Sequence, residues 1–321
     1  MNPGNQVTFP DLHLSFHLDS IAFEVFGLTV TWYGLLITVG IVLALCYAYF
    51  NAKRFELDFD KIIDAVIAGL FGGIVCARLY YVIFNFSLFR DDWLSIFRVW
   101  EGGIAIYGGM IGALLAGGLV CKWRKLNIAS AFDLTVIGFS IGQAIGRWGN
   151  FFNQEAFGSN TDMPWRMVLS ENTFLRYLDS EIAANVDFYK GVHPCFLYES
   201  IWCAIGFFLL HRMSKHRKFN GQLFVFYIGW YGLGRLFIEG LRADSLMLGP
   251  IRVSQLISGL SVLASATILW VKLRRANMEQ EKQYLPLFSQ GNAENAQLQG
   301  ENVPSLSEDV NNVQHSDGKD E

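Results

Sequence analysis

Residues 146–158 read Gly-Arg-Trp-Gly-Asn-Phe-Phe-Asn-Gln-Glu-Ala-Phe-Gly and close a long apolar stretch. Arg147, Asn150, Asn153 and Glu155 therefore stand at the edge of a bilayer, which penalises an ionised side chain at its centre by roughly 2.5–3.5 kcal/mol and less toward its surface. Such groups persist there beside partners, water or a polar ligand, and phospholipid head groups occupy that depth. A second polar stripe, Tyr231, Arg235, Glu239 and Arg242, follows i, i+4, i+8 and i+11 along one helix face. Arg235 lies well inside its apolar run, and Glu239 one turn away is a natural counter-ion. Guanidinium groups match phosphate in shape and charge. Two of them, carried on separate helices, would clamp a phosphodiester from both sides. Gly232 and Gly234 leave room for something bulky beside Arg235.

Other polar positions are weaker alone. Asp133, Ser140 and Arg147 recur every seven residues, and Gln143, Arg147 and Asn150 widen that face. The face cannot point to lipid and is expected to line a cavity, with a structural hydrogen-bond network as the alternative. Tyr33 follows Trp32 early in one apolar run, Tyr107 stands between glycine pairs, and Glu199 lies one turn inside a segment opened by His193-Pro194. Gly138-Phe139-Ser140-Ile141-Gly142 has the GxSxG spacing, but in mid-helix, where it reads as packing. HExxH, Walker A and GxGxxG patterns are missing, and the six histidines are too scattered for a metal site. The basic residues flank apolar runs, so no nucleic-acid footprint is expected.

The elements that must carry these groups are membrane helices. The 321 residues are 52% apolar and only 17% charged, against about 25% charge in soluble domains. Seven segments can cross roughly 30 Å of hydrocarbon, near 28–50, 62–85, 103–121, 128–147, 195–213, 222–240 and 252–271. Residues 1–27 hold no Lys or Arg, so no cleavable signal peptide is expected and the first span serves for insertion. Thirteen Lys and Arg follow spans one, three, five and seven, while seven are diluted through the other loops. The positive-inside rule then puts the N-terminus outside and the C-terminus in the cytoplasm.

Residues 1–27 thus form an outer segment, 28–272 the seven-helix domain, and about 148–193 a small head outside the bilayer. Residues 273–321 are acidic and poor in apolar groups, which predicts a disordered tail. Glycines at 69 and 73, at 108 and 112, and at 138, 142 and 146 permit close helix approach. The five cysteines read as small packing residues.

The run at 146–158 resembles the signature of the bacterial prolipoprotein diacylglyceryl transferases. Trp32-Tyr33-Gly34, Trp100-Glu101-Gly102-Gly103, His193-Pro194 with Leu197-Tyr198-Glu199, and the stretch Tyr231–Arg242 fall in the order that family shows. The likeness covers roughly residues 15–272. It implies an all-α membrane protein, a seven-helix bundle with a periplasmic head, in the bacterial inner membrane. It also implies transfer of the diacylglyceryl group of phosphatidylglycerol to the lipobox cysteine thiol of a prolipoprotein signal peptide. A thioether forms, glycerol phosphate leaves, and neither metal nor cofactor takes part.

By the same resemblance, Arg147 and Arg235 hold the phosphate and stabilise the departing charge. Asn150, Glu155 and Gly158 shape the head-group site, with Glu155 orienting Arg147. Tyr33, Tyr231, Glu199, Glu239 and Arg242 complete the lipid site. Tyr107 stands where many members carry a histidine viewed as the thiol's base. A tyrosine with its ordinary pKa of about 10 is a poor base at neutral pH. Thiol activation then falls either to a Tyr107 acidified by arginines, or to Glu155, or to the arginine field itself.

A transporter for anionic solutes would use the same arginines, but it needs a polar route to the cytoplasm. The cytoplasmic ends of spans four and six, 129–134 and 223–228, are mostly apolar, apart from Asp133. A non-catalytic lipid-binding scaffold leaves so many intramembrane charges without a purpose.

Overall fold

The computed structural model describes residues 5–298 apart from residues 91, 100, 101, 181, 183, 184, 246, 249 and 250, with side chains as far as Glu279 other than that of Ile251. Trp100 and Glu101 of the family-like motif lie outside the described residues, as does the tail from 299 onward. The chain is mostly helical. It opens with two antiparallel hairpins, β1 (Gln6–Phe9) with β2 (Leu14–His17), then β3 (Ile21–Val25) with β4 (Leu28–Thr31). Five longer helices and a short one follow: α1 (Trp32–Asn51), α2 (Phe59–Phe84), α3 (Ile106–Trp123), α4 (Ile128–Asn153), α5 (Glu171–Tyr177) and α6 (Cys195–Met213). α7 (Gln222–Ile238), a two-residue hairpin and α8 (Val253–Leu298) complete the order. An all-α expectation therefore needs correction at the N-terminus, where alternation in Gln6–Phe9 and in Ile21–Val25 escaped notice as strand.

Among the described residues, five helices are long and apolar enough to cross a membrane: Trp32–Phe55, Phe59–Phe84, Ile106–Trp123, Ile128–Asn153 and Val253–Glu279. They match five of the seven expected spans. The other two expected spans form α6 and α7. Glu199, His211 and Arg212 dilute the apolar character of α6, and α7 has only 17 residues. The final helix also differs from expectation. It continues to Leu298, through the first part of the stretch expected to be disordered, where Met278, Glu279, Gln280, Glu281, Lys282 and Gln283 are good helix formers. The chain divides into two compact units at Leu269/Trp270.

Small residues set the packing within the first unit. A Cβ on Gly40 would stand 2.9 Å from Gly142 Cα, so α1 and α4 meet backbone to backbone. A Cβ on Gly112 of α3 would come within 2.3 Å of the Gly72 carbonyl on α2. The expected glycine spacings thus mark real helix contacts. α4 packs on α1, α6 and α7, which places it at the centre of the group that carries the arginines. Outward-facing Phe50, Phe71, Leu115 and Leu119 are exposed, as suits a lipid-facing surface.

A separate apolar cluster lies under the expected head. Phe151, Phe157, Met167, Leu169, Phe188 and Val192 pack with Val7 and Phe9 of β1. Thr8 exchanges backbone hydrogen bonds with Val168, at 3.1 and 2.8 Å. β1 is therefore part of this cluster.

Candidate functional site

Arg147 lies near the C-terminal end of α4, Glu199 in the second turn of α6, and Arg235 in the last turn of α7. α7 then tightens into a 3-10 turn, Glu239–Leu241, which ends at Arg242. These elements bring three guanidinium groups onto one carboxylate. Glu199 is only 3% exposed. Its Oε2 is 2.5 Å from Arg147 Nη2. Its Oε1 is 3.3 Å from Arg235 Nη1 and 3.3 Å from Arg242 Nη1. Arg235 also pairs with Glu239, one turn along the same helix. Arg242 is gripped from its other side by Asp244, with Nε and Nη2 donating at 2.8 and 2.7 Å. Three cations thus face the carboxylates of Glu199, Glu239 and Asp244. Removing one partner of a buried pair of this kind costs about 3–5 kcal/mol.

Asn150 joins this cluster to Glu155. Arg147 Nη1 donates to Asn150 Oδ1 at 3.4 Å, and Asn150 Nδ2 donates to Glu155 Oε1 at 2.9 Å. Asn153 Nδ2 adds a 3.3 Å bond to the same oxygen. The path from Glu155 to Arg147 passes through the Asn150 carboxamide. Gln154, in the left-handed conformation at φ 49°, ends α4 and turns the chain so that Glu155 faces back.

Gly158 stands where the outer segment meets the 3-10 turn. Its N–H donates to the His193 carbonyl at 2.9 Å, and Gly158 pairs with Arg242 in an isolated β-bridge. A Cβ there would lie 2.8 Å from the Leu241 carbonyl and 2.7 Å from His193 Cβ. Burial pushes the His193 imidazole below its ordinary value of 6.5.

Tyr231 lines a cavity of about 10 Å³ together with Glu199, Trp202, Cys203, Gly234, Arg235 and Ile238. That is room for a single water molecule. The Tyr33 ring lies against Gly149, where a Cβ would approach it to 2.4 Å. Tyr107 is 44% exposed in the first turn of α3, and among the described residues it makes no hydrogen bond to the arginine cluster. The space expected beside Gly232 and Gly234 is filled by the protein itself. The Trp202 indole occupies the notch at Gly234, and Ser258 and Val262 of α8 cover Gly232.

The long polar face of α4 divides into two functions. Gln143 Oε1 accepts from Tyr227 at 2.7 Å near the cavity. Ser140 donates to the Val136 carbonyl of its own helix. Asp133 is fully buried, and its oxygens accept the backbone N–H groups of Gly221 and Phe224 at 2.8 and 2.9 Å. Gly221 opens α7 without a side chain to cap it, so Asp133 supplies the cap from α4. Arg217 balances the charge at 3.4 Å and stacks over Phe55.

Sequence reasoning missed Arg78, Asp244 and the Trp202–Trp230 pair. Arg78, 7% exposed on α2, donates to the carbonyls of Ser95, Ile96, Gly102 and Gly103 at 2.5–2.8 Å. Gly102 and Gly103 sit at φ 90° and 71°, and a Cβ on Gly103 would strike Arg78. The only sequence signal was the adjacent glycine pair. Asp244 was marked by its position two residues after Arg242.

A family model described as prolipoprotein diacylglyceryl transferase matches residues 20–271. The chain is 42% identical over 266 residues to the phosphatidylglycerol–prolipoprotein diacylglyceryl transferase of Clostridium novyi (strain NT), covering 83% of this chain and 100% of that protein. It is 40% identical over 266 residues to the one of Clostridioides difficile (strain 630), covering 82% and 100%. The Staphylococcus aureus (strain Newman) protein of the same name is 40% identical over 254 residues, covering 79% and 88%. The chain belongs to the prolipoprotein diacylglyceryl transferase family.

Proposed function

We propose that the cluster around Glu199 is where this member of the family holds the phosphate of its lipid donor. The chain transfers the diacylglyceryl group of phosphatidylglycerol to a prolipoprotein. In the reading offered here the acceptor is the lipobox cysteine thiol. Its sulfur attacks the glyceryl carbon that bears the phosphoester, the carbon–oxygen bond breaks, and glycerol phosphate departs.

Arg147 and Arg235 hold the phosphate and stabilise the charge that grows on the leaving group, which is worth most in a water-poor site. Asn150 and Glu155 fix Arg147, Gly158 fixes the turn that carries Arg242, and Glu239 holds Arg235. Tyr33, Tyr231, Glu199 and Arg242 complete the lipid site, and Tyr107 is assigned to it by the resemblance to the family alone.

The same reading makes α6 and α7 the two remaining spans of a seven-helix bundle in the bacterial inner membrane. Their polar groups are tolerable because they face other helices rather than lipid. Residues 148–193 are then a periplasmic head, the N-terminus is outside and the C-terminus is cytoplasmic, as the Lys and Arg distribution favours.

The observation that carries this reading is the meeting of Arg147 and Arg235, from two helices, on one carboxylate. The test is transfer of labelled diacylglycerol from phosphatidylglycerol vesicles to a lipobox peptide by Arg147→Ala and Arg235→Ala variants that insert normally. Each is expected to lose about 10²–10³-fold. Transfer at the unchanged rate would overturn the assignment.

A further inference from the structure

A phosphodiester and Glu199 compete for the same arginines. Among the described residues, Glu199 is the one carboxylate that contacts both Arg147 and Arg235, and it contacts Arg242 as well. When a lipid phosphate takes Arg147 and Arg235, Glu199 loses those counter-ions. It stays almost wholly buried, now next to an anion. Its remaining guanidinium, that of Arg242, is shared with Asp244, and a buried carboxylate stripped of two of its three counter-ions can take a proton. The acceptor thiol brings one.

Glu199 is also placed to receive it. It lines the cavity beside Tyr231 and Arg235, and its Oε2, paired with Arg147 at rest, is released when that guanidinium turns to the phosphate. Glu155, by contrast, is held by two carboxamides and pairs with no arginine among the described residues. Tyr107 stands apart on α3.

We propose that Glu199 is the general base of the transfer, switched on by the arrival of the lipid phosphate on its arginines. This inference rests on the phosphate-site reading above. The S–H proton passes to a Glu199 oxygen. The sulfur electron pair forms the new S–C bond, and the electron pair of the broken C–O bond leaves with glycerol phosphate. That product takes the proton on its phosphate, whose second ionisation lies at about 6, and Glu199 recovers its arginines.

The test compares two peptides in phosphatidylglycerol vesicles, one with the lipobox cysteine and one with selenocysteine in its place. A cysteine thiol, with an ordinary pKa of about 8.5, is mostly protonated at neutral pH. A selenol is already ionised there and needs no base. Glu199→Gln is expected to lose about 10²–10⁴-fold with the thiol peptide and under about tenfold with the selenol peptide. Equal losses with both would overturn the proposal.

Glu199→Asp, which keeps a charge for the arginines but withdraws it by one methylene, decides the matter if the Gln variant does not insert. A selenol-to-thiol rate ratio raised at least about tenfold over the unaltered protein upholds the base role, and an unchanged ratio overturns it. Arg235→Ala slows both peptides alike, so a failure of the phosphate-site reading shows separately, as no loss with either.

Discussion

Asp133 and Gly221 form a helix cap shared between two helices: the carboxylate of one satisfies the exposed N–H of the other at 2.8 Å. The arrangement locks the N-terminal end of α7 to α4, far along α4 from Arg147. Asp133→Ala removes the carboxylate acceptors of two backbone N–H groups and strands Arg217. The expected cost is about 3–5 kcal/mol, read as a lowered unfolding temperature in detergent. Asp133→Asn retains one acceptor and should cost about 1–3 kcal/mol.

Asp244 steers Arg242 without touching Glu199 itself. Because Asp244 is a third exposed, its loss is expected to be worth only about 1 kcal/mol. Asp244→Ala should weaken the apparent affinity for phosphatidylglycerol about fivefold and leave kcat close to its original value. A fall in kcat with an unchanged KM would assign Asp244 a different role.

Gly158 leaves no space for a methyl group between the Leu241 carbonyl and His193. Gly158→Ala must push the 3-10 turn, and Arg242 with it, out of place. A displacement on the order of 1 Å at a reacting centre costs about a hundredfold in rate. Activity in phosphatidylglycerol vesicles measures that loss, and the overpacking should also cost about 1–3 kcal/mol of stability.

Arg78 spreads its planar fork over four carbonyls of the 95–103 segment. Lysine has a single ammonium and cannot reach all four. Arg78→Lys is expected to destabilise the protein by about 1–3 kcal/mol. It should also open the 95–103 segment to limited proteolysis, which the unaltered protein resists.

The chemistry was more legible than the scaffold. Arg147 and Arg235 announced themselves as charges within or at the end of apolar runs, and helical spacing put both on inward faces. Their convergence on Glu199 was not legible, because spacing within one helix says nothing about which carboxylate a neighbouring helix presents. Asp133 was misjudged for the same reason. Its seven-residue interval from Ser140 and Arg147 is real, but its partner is a bare glycine N–H on another helix. Arg78 escaped because its ligands are main-chain carbonyls in an irregular segment, and every sequence has those. β1 and β2 escaped because each is only four residues long, and the further bridge from Thr8 to Val168 joins residues too far apart for any local pattern to reveal.

Trp202 and Trp230 stack at 4.2 Å, and each indole N–H donates to the other residue's carbonyl. Gly206 and Gly234 are the sockets that receive the two rings. These clasps join α6 to α7, the two helices least able to enter a bilayer by themselves. On the seven-span reading the pair is inserted as one preassembled hairpin, so that a chain truncated between them would strand α6, and Glu199 with it, at the translocon.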